Sequence, residues 1–316
     1  MRAYILQRVL QAIPTLLIVS VITFTITMLL PGDPALAFLG ESAALDKVAY
    51  QATRQQLGLD EPLPVQYTRW LGRVVQGDLG RSIRTKEPVL TSLLTRLPVT
   101  LELVGFAMLV GVLIAFPVGI LSAVRPNSKL DLIGTVLAVS GLAIPSFWLG
   151  IILIYLFALW LRWLPASGYV SPAVDLGQNL KLMFLPALTL GVDLAASLMR
   201  QIRSSLLEVM QQEYIVTARA KGVRERNVVN AHALKNALIP VVTILGLQVG
   251  RLIGGSVVIE TIFALPGLGR LAADAIFFRD FPALLGVVSV LAIAVFVSNL
   301  VTDLLYSVLD PRIRYA

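Results

Sequence analysis

Apolar side chains in this chain form long unbroken runs rather than short alternations. Residues 9–30, 103–124, 132–161, 182–199, 237–259 and 283–302 each carry at most one charged side chain. A hydrocarbon core of about 30 Å takes about 20 residues of helix, so every run is long enough to cross it. Open sheet is excluded in lipid, because each backbone N–H and C=O must be satisfied within its own segment. The pattern therefore predicts an all-α membrane protein with six transmembrane helices. Arg2 and Arg8 before the first run, and Ala35-Leu36-Ala37 after it, imitate a cleaved signal peptide. The run outlasts the roughly 7 to 15 apolar residues of such a signal, so a retained first span is expected. The run at 132–161 is long enough to reach about 45 Å, which predicts tilt or projection and a kink at Pro145.

Three polar segments separate or follow these runs. Residues 31–102 open on the turn Pro31-Gly32-Asp33-Pro34, and two helices are expected there, Ala43 to Leu57 and Pro64 to Val75, as a small ordered cap. Residues 200–236 are strongly basic. Leu207, Met210, Tyr214 and Ala218 recur at three- and four-residue spacing, which predicts a helix continuing out of the membrane with one apolar stripe. Thr217-Ala218-Arg219-Ala220-Lys221-Gly222 follows, with small side chains, flanking cations and a helix-ending glycine. A second helical pattern from Arg224 makes the whole a knob suited to another protein's groove, the plainer alternative being a basic loop on anionic lipid. Residues 260–282 contain the breaker Pro266-Gly267-Leu268-Gly269.

Composition narrows the chemistry. Of 316 residues 57% are apolar and 14% charged, cysteine is absent, and His232 is the single histidine. That removes disulfide scaffolds, thiolate nucleophiles and His-rich metal cages. The net charge of +7 first suggests nucleic acid, but its distribution argues against it. With the N-terminus inside, half of the 26 lysines and arginines fall in inside segments, and the short outside loops are poor in them. Both termini are therefore expected to be cytoplasmic.

Asp193 and Arg251 are the only charges within the six runs, and both come near the midplane. An unpaired charge there costs on the order of 2.5 to 3.5 kcal/mol. The two are expected either to pair, merely neutralising each other, or to line a hydrated path for a zwitterionic solute.

Tyr214-Ile215-x-Thr217-Ala218-Arg219-Ala220-Lys221-Gly222, then His232-Ala233-Leu234-Lys235-Asn236-Ala237 and Ile239-Pro240, resemble the dipeptide/oligopeptide permease subunits of bacterial ABC importers. Gly77-Asp78-Leu79-Gly80-x-Ser82, Thr100-Leu101-Glu102-Leu103, Glu260-x-Ile262-Phe263 with Pro266-Gly267-Leu268-Gly269, Arg279-Asp280-x-Pro282 and Asp310-Pro311-Arg312 agree. The broader importer signature places Glu-Ala-Ala where this chain has Val216-Thr217-Ala218, a departure that narrows the subgroup.

The resemblance implies a first transmembrane helix at 1–30, a periplasmic or extracellular segment at 31–96, and a type-1 ABC transmembrane domain at 97–307. The domain's spans would lie near 103–124, 132–161, 182–199, 237–259 and 283–306, with a cytoplasmic tail at 308–316. It implies a multi-pass protein of the bacterial inner membrane that passes di- or oligopeptides delivered by a solute-binding protein. Relatives that move glutathione or nickel chelates keep those substrates open. The ATPase-docking region would comprise Glu213, Tyr214, Thr217, Ala218, Arg219, Ala220, Lys221, Gly222 and Arg224. No lysine here follows a glycine, so there is no phosphate loop of the Gly-Lys-Ser/Thr type. No cofactor is expected on this chain. ATP and Mg would bind two separate ATP-binding subunits, or one fused, and a second homologous permease would supply the other half of the pathway. An ion-coupled carrier acting alone would need more membrane carboxylates than Asp193. An intramembrane protease would need a histidine at depth or a second aspartate facing Asp193.

Overall fold

The computed structural model describes residues 2–29, 33–39 and 47–309. The turn residues Pro31 and Gly32, positions 43–46 of the expected first cap helix, and the Asp310-Pro311-Arg312 motif with the end of the tail lie outside the described residues. The described chain is helical, with one isolated β-bridge, Arg81 to Pro88. In order come α1 (Arg2–Leu29), α2 (Pro34–Leu39), α3 (Lys47–Leu57), α4 (Leu63–Val75), α5 (Val89–Val124), α6 (Lys129–Ala143) and α7 (Ser146–Leu153). After π-helical turns at Ile154–Trp160 follow α8 (Leu176–Met210), α9 (Glu213–Ala220) and α10 (Glu225–Asn227). A second π-helical stretch, Val228–Ala233, leads into α11 (Leu234–Ile262), then α12 (Leu268–Phe277) and α13 (Phe281–Leu309).

Five stretches are long and apolar enough to cross a membrane: Leu10–Leu29, Val89–Val124, Leu176–Met210, Glu225–Ile262 and Phe281–Asp303. The sixth expected span is a pair instead. Lys129–Ala143 and Ser146–Trp160 meet at 104°, so six spans are reached only when this pair counts as one. The expected kink at Pro145 is thus a full break. Ile144 (φ −81°, ψ 121°) and Pro145 (φ −60°, ψ 132°) are both extended, because the proline ring drives the residue before it out of the helical region.

Two compact units divide the chain, Met1–Thr100 with Pro266–Phe296, and Leu101–Leu265 with Val297–Ala316. In the first, the starts of α5 and α13 and the inner face of α12 bury Val89, Leu93, Leu268, Ala272, Leu284 and Val287. Asp280 is their polar lock. It accepts from Ser82 Oγ, from the N–H of Ile83 (3.1 Å) and from the N–H of Ala283 at the start of α13 (3.3 Å). The Gly77–Ser82 and Arg279–Pro282 motifs, far apart in sequence, therefore form one buried hydrogen-bonded corner. Thr100 Oγ1 ties a third motif in by accepting from Leu268 N–H at 2.8 Å.

In the second unit α8 is the central post, packed against α6, α7 and α11. Lipid gives little hydrophobic drive for helices to associate, so close contact of small residues must supply it. Gly191 of α8 lies where a Cβ would come within 2.8 Å of the Ala107 carbonyl oxygen of α5, and Gly111 of α5 faces Leu194 in the same way. At the N-terminus of α6, Ser128 Oγ accepts from Asp131 N–H, and Asp131 accepts from Asn127 N–H at 2.9 Å, a reciprocal cap. The buried Asp131 also takes both arms of Arg203, at 2.7 and 2.8 Å. Elsewhere Glu102 accepts from Tyr169 Oη (2.9 Å) and Asn179 Nδ2 (2.6 Å), fixing the loop before α8. Burial, helped by that carboxylate, pushes the Tyr169 phenol up to about 12.

Candidate coupling surface and intramembrane cavity

The helix expected to continue past the membrane with one stripe is broken. α8 ends at Met210, Gln212 is extended (φ −71°, ψ 146°), and α9 starts afresh at Glu213. The new helix turns Ile215 and Ala218 inward against Leu206, Ala123, Val228 and Ala237. Tyr214, assigned to the stripe by spacing, is exposed instead and accepts from Asn236 Nδ2 at 2.8 Å. Ala218 is 9% exposed, so it supports the outer face rather than forming it.

The C-terminal end of α9 is fixed by its backbone. Val223 N–H donates to Ala218 C=O at 3.2 Å and Gly222 N–H to Arg219 C=O at 2.9 Å. This is the paired closure in which a left-handed residue follows the cap, and Gly222 has φ +79°. No atom lies within 4 Å of where its Cβ would be, so the backbone angle, not space, calls for glycine. The apolar contact that accompanies such closures is Val223 beside Ala218. Arg219 then reaches across the turn to Glu225 with two bonds, 2.7 and 3.1 Å, and this pairing holds its guanidinium above its ordinary range. The result is a short helix exposing Glu213, Thr217, Arg219 and Ala220, followed by a tight turn exposing Lys221, Gly222 and Arg224.

The two charges within the apolar runs meet on α8 and α11. Arg251 Nη2 lies 3.5 Å from Asp193 Oδ2, with side chains 64% and 39% exposed. Sequence reasoning missed their uncharged companions. Arg251 Nη1 donates to Gln248 Oε1 at 3.2 Å, and Gln248 Nε2 to Ser197 Oγ at 3.0 Å. Gln248, three residues before Arg251 on one helix face, is the sequence signal that was available. Asp193, Gln248 and Arg251 border a cavity of about 280 Å³ that is also lined by the Ile144-Pro145-Ser146 break. The site joins a long-range ion pair, amide and hydroxyl groups and an apolar wall, a combination suited to binding a polar solute rather than to covalent chemistry. Among the described residues no three His, Cys, Asp or Glu side chains converge as metal ligands would.

Long helices around a central post, with one pair broken at a proline, define the membrane domain of a type-1 ABC importer. The fold matches that of the methionine ABC transporter MetNI in an inward-facing conformation, over 69% of this chain and 96% of that one, with a TM-score of 0.59 and 20% identity. A second crystal form of the same transporter gives 0.57 and 22%. The chain belongs to the family of inner membrane components of binding-protein-dependent transport systems, whose model matches residues 115–315. The model of that family's N-terminal part matches residues 1–104. A putative peptide permease of Brucella suis biovar 1 is 42% identical over 99% of both chains. The oligopeptide transport system permease AppB of Bacillus subtilis is 43% identical over 100% of both, and the glutathione transport system permease GsiC of Pectobacterium atrosepticum 45% identical over 99% of both. The chain is thus a multi-pass membrane component of an ABC importer.

Proposed function

We propose that this chain is one permease half of an ATP-driven importer of short peptides, handed over by a solute-binding protein. Its peptide and glutathione relatives support the substrate class, glutathione being itself a peptide. On this reading residues 97–307 are the translocating domain, 31–96 lies on the side of the binding protein, and both termini are cytoplasmic. Two ATP-binding subunits, or one fused, supply hydrolysis with Mg, and a second homologous permease completes the pathway. The cavity beside Asp193 and Arg251 receives the peptide's charged ends, each charge meeting the opposite one on the substrate.

The observation that carries the proposal is α9. Its buried side chains Ile215 and Ala218 anchor it among Leu206 of α8 and Ala237 of α11, while its exposed face mixes Glu213, Thr217 and Arg219 with Tyr214 and Val216, and Lys221 and Arg224 follow it. Such an element transmits force when a neighbouring ATPase cleft closes, because its anchor moves with it. The native chain has no cysteine, so a single Thr217→Cys gives a clean probe. A bifunctional crosslinker applied to the assembled importer is expected to join Cys at that position to an ATP-binding subunit. Crosslinks only to the binding protein, or labelling from the opposite side of the membrane, would overturn both the docking and the orientation.

A further inference from the structure

The first unit contains a cavity that the transport reading does not use. It measures about 240 Å³ and lies between the C-terminal end of α1, α4 and the start of α13. Its walls are Phe24 and Met28 of α1, Trp70 of α4, and Phe281 and Leu285 of α13. Helix α4 is held to α1 by Tyr67, which shares a hydrogen bond of 2.7 Å with Ser20 and meets Phe24 edge-on at 5.6 Å. Trp70 packs 5.7 Å from the same ring.

Depth and charge together identify an occupant. In sequence the apolar run of α1 ends at Leu30, before Pro31-Gly32-Asp33, so at helical rise Phe24 falls about 9 Å and Met28 about 3 Å short of the end of the run. For Phe24 that is the depth, roughly 5 to 10 Å, at which an amphipathic helix beds its apolar face at the headgroup boundary, and Tyr, Trp and Arg are the residues such helices use. The rim is cationic. Arg69, Arg73 and Arg81 border the cavity against one carboxylate, Asp78, which is turned to the N–H of Gly80 at 2.9 Å. Arg69 is engaged by Glu61 at 2.6 Å. Among the described residues neither Arg73 nor Arg81 has a carboxylate within ion-pair distance.

We propose that this crevice binds one anionic phospholipid from the leaflet at the C-terminal end of α1. Its phosphate lies against Arg73 and Arg81, and an acyl chain runs along Phe24, Trp70 and Leu285. A protein partner fits less well, because the aromatic floor lies below headgroup level. The lipid would fasten α4 to the membrane surface independently of any transported solute.

The test uses the whole importer in nanodiscs of phosphatidylcholine alone or mixed with phosphatidylglycerol, with native mass spectrometry counting the lipids retained after extraction. The wild type is expected to keep a phosphatidylglycerol in preference to phosphatidylcholine, and inorganic phosphate is expected not to displace it. Arg73→Gln with Arg81→Gln, both at exposed side chains, should lower retention about fivefold per arginine. Lys86→Gln, an exposed cation outside the cavity, should leave it unchanged. Equal retention of the two lipids, displacement by inorganic phosphate, or equal losses in the Lys86 variant overturn the proposal. So does a double variant that keeps the lipid but loses affinity for the solute-binding protein in lipid-free detergent.

Discussion

Arg203 with Asp131 and Arg251 with Asp193 are the same kind of pair in opposite surroundings. Asp131 is buried, capped by Asn127 and held by both arms of Arg203. Asp193 and Arg251 touch at 3.5 Å beside a cavity, and both are open to it. Removing the buried carboxylate takes the helix cap and leaves the half-buried Arg203 unpaired, whereas an exposed pair contributes little to stability. Asp131→Ala is therefore expected to cost about 3 kcal/mol, seen as a lower melting temperature in detergent. Asp193→Asn and Arg251→Gln should leave melting almost unchanged and slow peptide uptake instead. Unaltered uptake in both would remove the cavity from the pathway. Charges set within apolar runs made the second pair visible from sequence. The first escaped because Asp131 and Arg203 each lie just beyond the end of a run, where a charge draws no notice.

Elements follow the same logic of surroundings. The apolar runs fall within long helices, but α5 begins at Val89 and α8 at Leu176, before the runs start. The added turns mix polar and apolar side chains, burying Val89 and Leu93 on one face of α5 and only Asn179 at the start of α8, so an apolarity window does not see them. α12, anticipated only as a turn, is a helix for the same reason, burying Leu268, Ala272 and Ala275. Periodicity also carried the stripe at 207–218 across Gln211 and Gln212, because a pattern of three and four does not register an extended residue between two helices. What fixes the packing of α8 on α5 is the smallness of single residues. Gly191→Val would press its Cβ on the Ala107 carbonyl, a backbone atom that cannot rotate away. The expected cost is about 2 kcal/mol, with reduced yield of folded protein in detergent. Gly254→Val, at a helical glycine with no atom within 4 Å of the new Cβ, is the matched control and should be nearly neutral. Equal behaviour of the two variants would show that the close approach does not limit packing.

At the scale of the whole molecule, the family places this chain among the inner membrane components of binding-protein-dependent transport systems. Leu132, Leu137, Tyr155 and Trp160 stay exposed along α6 and the π-helical turns, which suits contact with lipid or another membrane chain. Family-specific motifs in the sequence marked the importer class, and their spatial pairing, Ser82 with Asp280 and Thr100 with Leu268, required the fold. The central claim is that α9 conveys ATP hydrolysis to the spans. Its most direct test is ATP hydrolysis by the assembled importer in proteoliposomes, with and without loaded solute-binding protein. Two separate variants probe it, Lys221→Glu on the exposed face and Gly222→Val at the left-handed closure. Both are predicted to lose the stimulation by loaded binding protein while retaining binding-protein capture. Stimulation equal to the wild type in both variants would contradict the account.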